Sequence, residues 1–385
     1  SERAPRQYNH PMLYLDHAAT TPMRPEAWAA MERVRDAYGN PSGVHEVSRT
    51  AKNELETARE IAAGLLGAAR PSEIVFTAGG SEADNLAVIG TALAGGRPAH
   101  VVISAVEHKA VLESARFLER MGGRVSIVPV DSSGVVDPAQ VEAAVEDDTA
   151  LVSIMLANNE TGALQPVEEI VAAVDAANPA TLVHTDAVQA FISESVDVGI
   201  LGVDLLSLAA HKFGGPKGVG LLYVRDGVRL EPVVHGGSQE MGRRAGTQNP
   251  MGAAGMVAAM EATVADRPSF RERVAAARDA FEQQLAAAVP GLRVNGPADR
   301  LVQHSHLGFP GQSSETLLIR FDQAGLAAAA GSACQSGAVE VSHVLAAMGM
   351  SERHAAESVR FSFGWTSQPE DADLAAKIVI EEQRS

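Results

Sequence analysis

The stretch Ser207-Leu208-Ala209-Ala210-His211-Lys212-Phe213-Gly214-Gly215-Pro216-Lys217-Gly218-Val219-Gly220 decides how the chain is read. An apolar run, Asp204-Leu205-Leu206-Ser207-Leu208, delivers a histidine–lysine pair to a turn crowded with glycine. That order predicts a buried strand whose carboxyl end presents Lys212. In a partly desolvated pocket an ammonium gives up its proton more readily, and the neutral amine is a nucleophile. A lysine beside glycine is otherwise an ordinary surface residue. Upstream, a second apolar run closes on His184-Thr185-Asp186-Ala187-Val188-Gln189.

Outward from these two runs, strand-like and helix-like stretches alternate. Strands read at 74–77, 101–104, 125–130, 150–156, 181–184, 205–208 and 220–224, and helices at 25–38, 48–66, 81–93, 109–121, 138–145 and 167–177. The alternation predicts an α/β layer built on a mostly parallel, buried sheet. An alanine-rich helix over 251–288, broken near Pro268, marks a change of domain. Beyond it the pattern is looser, with strands at 304–309, 326–330 and 358–363, and suits a smaller α+β unit. The expected division is a large α/β domain over 21–260 and a small domain formed by 1–20 with 261–385.

A lysine and an aspartate at neighbouring strand ends suit pyridoxal phosphate, whose enzymes join a lysine to the cofactor aldehyde and pair an acid with its ring nitrogen. Other stretches fit the same sheet edge. Ala78-Gly79-Gly80-Ser81 sits between a strand and a helix, where backbone N–H groups and the helix N-terminus favour an anion, although an ordinary glycine turn reads the same way. His108 follows the strand at 101–104 and is placed to stack on a planar ring and exchange protons near neutral pH. Asn158 and Asn159 end another strand, either bonding a cofactor oxygen or capping the turn. Arg243 and Arg244 next to a glycine turn offer recognition of carboxylate or phosphate, or form a solvated basic loop. Arg360 lies in the strand at 358–363. Cys334, in Gly331-Ser332-Ala333-Cys334-Gln335-Ser336-Gly337, has small and polar neighbours that suit an accessible, reactive thiol rather than a core one.

The bulk numbers narrow the function classes. A net charge of −17 over 385 residues argues against direct nucleic-acid binding, which needs clustered Lys and Arg. The single cysteine excludes internal disulfides and cysteine-rich zinc sites. No apolar run is long enough to span a membrane, and residues 1–11 lack the apolar core of a secretion signal, so a cytoplasmic protein is expected.

In order along the chain, LDHAATTP (15–22), GNPSGVH (39–45), FTAGGSEADN (76–85), EHKAV (107–111), NNETG (158–162), HTDAVQ (184–189), HKFGGPKGVG (211–220), RRAGT (243–247) and GSAC (331–334) resemble the cysteine desulfurases of aminotransferase class V, within fold type I of the pyridoxal phosphate enzymes. The GSAC loop looks like the class I branch. The resemblance implies conversion of L-cysteine to alanine, with a persulfide left on Cys334 for an acceptor protein. Such acceptors serve iron–sulfur cluster assembly, tRNA thiolation or DNA phosphorothioation. It implies that Lys212 attaches the cofactor and later moves the Cα proton, that Asp186 pairs with the ring nitrogen, that Gln189 bonds the phenolic oxygen, and that His108 stacks on the ring. Gly80, Ser81 and His211 would hold the phosphate, joined by Thr247 from the other subunit of a homodimer. Asn159 and Arg360 would bind the substrate carboxylate. Three positions depart from the family pattern: Ala209 and Ala245 stand where serine is common, and Ser81 replaces threonine. A selenocysteine lyase or an aminotransferase fits the same scaffold.

Overall fold

The computed structural model describes residues 12–330 and 342–384. In chain order these form β1 (Leu13–Tyr14), α1 (Pro25–Val34), α2 (Glu46–Leu65), β2 (Ile74–Thr77), α3 (Gly80–Leu93), β3 (His100–Ser104), α4 (Lys109–Arg120), β4 (Arg124–Val128), α5 (Pro138–Ala144) and β5 (Thr149–Ser153). Next come α6 (Val167–Ala177), β6 (Leu182–Asp186), α7 (Val198–Leu201), β7 (Leu205–Ala209), β8 (Gly220–Val224) and α8 (Pro250–Ala288). The remainder comprises β9 (Arg293–Val294), β10 (His304–Gly308), α9 (Ser314–Gln323), β11 (Leu326–Ala327), α10 (His343–Ala347), α11 (Glu352–Ala356), β12 (Ser358–Ser362) and α12 (Pro369–Glu382).

Seven strands make the central sheet in the order β2-β8-β7-β6-β5-β3-β4, and only β8 runs antiparallel to its neighbours. Alternate residues of each strand feed opposite faces, as the pleat requires. Val75, Val101, Ile103, Leu151 and Leu205 pack under α3 and α4, whereas Ile74, Phe76, Val102, Val152 and Leu206 join the larger core beneath α2, α6 and α8. Both faces are covered, which is why the strands read as continuous apolar runs.

A three-stranded antiparallel sheet, β12-β10-β9, and the parallel pair β1-β11 form the second layer. Phe281 on α8 meets Phe361 on β12 edge to face at 5.0 Å, and Phe309 and Phe321 close the same cluster. That cluster is continuous with the larger core, so one apolar body runs from β7 to β12.

The helix expected to break near Pro268 does not break. α8 spans 39 residues with Pro268 inside it. Pro268 is exposed, so solvent can take up the carbonyl it frees, while Met260 and Thr263 before it and Phe270 and Val274 after it are buried. Packing against α1, α2 and α12 outweighs the local preference. α1 ends at Val34 rather than Tyr38, and β4 and β5 stop earlier than the apolar runs suggested.

Candidate active site

Six of the seven strands point their carboxyl ends at one edge, and the strand order reverses between β5 and β3. Open α/β sheets bind ligands at such a reversal. A cavity of about 220 Å³ opens there, lined by Gly80, Ser81, Asp84, His108, Met155, Asn159, Asp186, Val188, Gln189, Ala209, His211 and Lys212.

Lys212 ends a single helical turn that follows β7. Its Nζ donates to the carbonyls of Ala18 at 2.5 Å and Ala19 at 2.9 Å, both from the loop after β1. Burial, and then the Arg360 guanidinium, bring its pKa down to about 8, against the opposing pull of Asp186 and Asp16. A substantial fraction of neutral amine is therefore present near neutral pH. Asp186 is the last residue of β6, and its Oδ1 accepts from the Val188 N–H at 2.9 Å. Burial raises its carboxyl pKa, while the charges of His108 and Lys212 and the Val188 bond work the other way.

His108 caps α4, its Nδ1 accepting from the Ala110 N–H at 3.1 Å, so the neutral ring carries its proton on Nε2. Although the side chain reaches solvent, the surrounding protein desolvates the ring enough to lower its pKa, against the pull of Asp186. Gln189 lines the cavity and donates its amide to the Ala18 carbonyl at 2.9 Å. The two asparagines divide their work. The buried Asn158 side chain accepts from the Glu160 and Thr161 N–H groups and donates to Val106, so it holds the turn, whereas Asn159 lines the cavity.

The glycine turn before α3 is shaped for close approach. A Cβ on Gly220 would sit 2.6 Å from the Gly79 carbonyl carbon, and one on Gly80 would sit 3.3 Å from the Ala209 Cβ. Gly80, Ser81 and His211 therefore cluster at the amino end of α3, with the His211 ring 3.2 Å from the Thr20 hydroxyl. Burial, then Lys212 and Lys217, lower the His211 pKa to about 4.

Arg360 on β12 reaches the same edge. It donates to the Asn159 carbonyl and to Asp16 Oδ1, each at 2.8 Å, and its buried Nε has no acceptor. Thr247 is exposed and does not line the cavity of its own chain. Ala245 is buried, its N–H donating to the Val234 carbonyl. Cys334 lies outside the described residues, but the chain on either side is anchored at the site. Ala329 exchanges backbone hydrogen bonds with Arg360, and Ser342 donates to Glu160 at 2.6 Å.

Sequence reasoning missed the carbonyls of Ala18 and Ala19, the carboxylate of Asp16, and Asp84. The two carbonyls carry no side-chain signature of ligand binding, while Asp16 sat unremarked in a quoted motif. Asp84 sat in a quoted motif, and the signal was available: a lone acid in the apolar stretch Ala83–Leu93 of α3 has no solvent to face.

Comparison with known proteins agrees with this geometry. The aminotransferase class-V profile matches residues 13–374. The cysteine desulfurase IscS of Dictyoglomus turgidum is 41% identical over 97% of this chain and 95% of that protein. A solved NifS-like protein superposes with a TM-score of 0.89 at 36% identity, covering 96% of this chain and 98% of its own. SspA, solved in complex with cysteine, superposes at 0.79 with 35% identity, covering 91% and 98%. From the strand-end lysine and aspartate to relatives matched over nearly their whole length, these observations agree that the chain belongs to the aminotransferase class-V family, among its cysteine desulfurases.

Proposed function

We propose that this protein is a pyridoxal phosphate-dependent L-cysteine desulfurase that forms alanine and leaves a persulfide on Cys334. The observation that carries the reading is the convergence of Lys212, Asp186 and His108 on one cavity beside a glycine-lined helix N-terminus. The residues fit the cofactor: an amine whose pKa is lowered to about 8 for its aldehyde, a buried acid for its ring nitrogen, and a glycine turn at a helix N-terminus for its phosphate. When bound, pyridoxal phosphate supplies an electron sink for charge developing at the substrate Cα.

The chain's own groups do the rest. Asp186 holds the ring nitrogen protonated, Gln189 bonds the phenolic oxygen, and His108 stacks on the ring. Gly80, Ser81 and His211 hold the phosphate, with Thr247 supplied by a second copy of this chain. The unpaired Nε of Arg360, with Asn159, orients the substrate carboxylate. Lys212 Nζ would be the group that takes the Cα proton of the bound substrate. The Cys334 thiolate then attacks the substrate sulfur. A new S–S bond forms as the C–S bond breaks, and the substrate carbon skeleton leaves as alanine. The persulfide then passes to an acceptor protein, and with a net charge of −17 any nucleic acid is served through that protein rather than bound directly.

The test incubates cofactor-loaded protein with L-cysteine and measures alanine together with the mass of the Cys334 peptide. One extra sulfur on Cys334, with both products absent in Cys334→Ser, is expected. Equal alanine from Cys334→Ser would overturn the sulfur-acceptor role and favour a lyase, and transamination would yield a keto acid instead.

A further inference from the structure

Asp84 has no part in the scheme above, yet it lines the cavity with Asp186 and is 1% exposed. Its Oδ1 has no hydrogen-bond partner. From the elements packed on α3, the titratable groups acting on it are Asp186 and His184 on β6 and Glu107 after β3, and β7 adds the Ser207 hydroxyl. His184 Nε2 lies 3.8 Å from Asp84 Oδ1. It is no counter-ion, because its Nδ1 bonds Ser153 Oγ at 2.8 Å, its Nε2 bonds Ser207 Oγ at 3.0 Å, and burial holds its pKa near 3.

Three carboxyls thus share one desolvated region, and like charges there do not all ionise. They differ in their donors. Glu107 Oε1 accepts from Ser104 Oγ at 2.5 Å and the Met155 N–H at 2.9 Å. Asp186 has the Val188 N–H and faces the Lys212 ammonium and the His108 ring. Asp84 has one orphaned oxygen, only the Ser207 hydroxyl as a donor, and a neutral histidine and two acids for its other neighbours. Of Asp84 and Asp186, the proton belongs on Asp84.

We propose that Asp84 is a positioning residue that stays protonated in the cavity floor, so that Asp186 above it remains an anion for the cofactor ring nitrogen. This deepens the proposed function and rests on it for the role of Asp186. A neutral carboxyl also has an O–H to donate, which the serine hydroxyls and the Asp186 carboxylate can accept.

The test is isotope-edited infrared spectroscopy of protein labelled with carbon-13 at its aspartate carboxyls, at neutral pH and without cofactor. A protonated-aspartate band is expected in the wild type, lost in Asp84→Asn and retained in Asp186→Asn. Its absence from the wild type, or its loss only in Asp186→Asn, would overturn the proposal. If Asp84→Asn does not fold, the wild type and Asp186→Asn still decide. In a parallel titration with pyridoxal phosphate, Asp84→Asn is expected to bind within about twofold of wild type, because the amide matches a neutral acid, and a tenfold loss would count against a neutral Asp84. A wild type that takes up no cofactor would overturn the proposed function instead, while the band still reports where the proton sits.

Discussion

Two buried charge clusters, one on the edge strand β2 and one at the carboxyl ends of β6 and β7, treat charge in opposite ways. Arg59 and Glu240 are 3% and 2% exposed, and every contact is matched. Glu240 accepts from two Arg59 nitrogens at 2.7 and 2.9 Å, from the Phe76 N–H at 2.9 Å and from Gln248 at 2.8 Å. Burial opposes ionisation of Glu240, but the Arg59 bonds overcome it and hold its pKa below the ordinary value. The cavity cluster leaves Asp84, Asp186 and Lys212 without such partners. Matched charge fixes the loop of residues 236–248 onto β2 despite left-handed backbone at Glu240 and Met241. Unmatched charge stores reactivity, because a lysine or acid short of partners shifts its pKa toward the working pH.

The contrast can be broken from either side. Lys212→Ala is expected to lower alanine formation by on the order of a thousandfold or more while leaving the melting temperature no lower than wild type, since it removes an incompletely paired buried amine. Glu240→Ala should do the reverse: stranding Arg59 costs about 3–5 kcal/mol in urea unfolding. If that variant unfolds like wild type, the pair is not structural.

A finer probe is pH. Lys212 is depressed to about 8 in the folded chain, so the unfolded state holds the extra proton above that value. Stability from this group therefore rises with pH from about 8 toward the unfolded value near 10.4. Cofactor uptake by the apo protein should likewise accelerate with a midpoint near 8. Arg360→Gln removes a neighbouring positive charge, so the midpoint should move upward, and a downward shift would contradict the assigned cause. The smallest effect concerns the phosphate cradle. Ala209→Ser adds a hydroxyl beside Gly80 and should tighten cofactor binding by about 1 kcal/mol, roughly fivefold, in an equilibrium titration.

Much of this was legible in the sequence for a physical reason. Strands buried on both faces are largely apolar, so polar residues at or just past the end of each run, among them His108, Asp186 and Lys212, mark the sheet edge. Pro268 misled because exposure, which a local pattern does not show, decides whether proline breaks a helix. The Ala18 and Ala19 carbonyls were illegible because any residue has a carbonyl, and only the tertiary path brings these two to Lys212. Asp84 was visible as a residue but not as a member of a carboxyl group whose other members lie on β6 and beyond β3.

The loop after β1 has a consequence for synthesis. Lys212 bonds to carbonyls 194 and 193 positions earlier, and Arg360 reaches Asp16 across 344. The loop leaves the ribosome long before Arg360, the last of these partners. A chain released early would carry the central sheet but not Arg360, and its lysine would lack one of the charges that make it reactive. Contacts this distant also form slowly. Cofactor capture by a new chain thus waits on a distant segment, and the lysine gains its full reactivity only once Arg360 has emerged and packed.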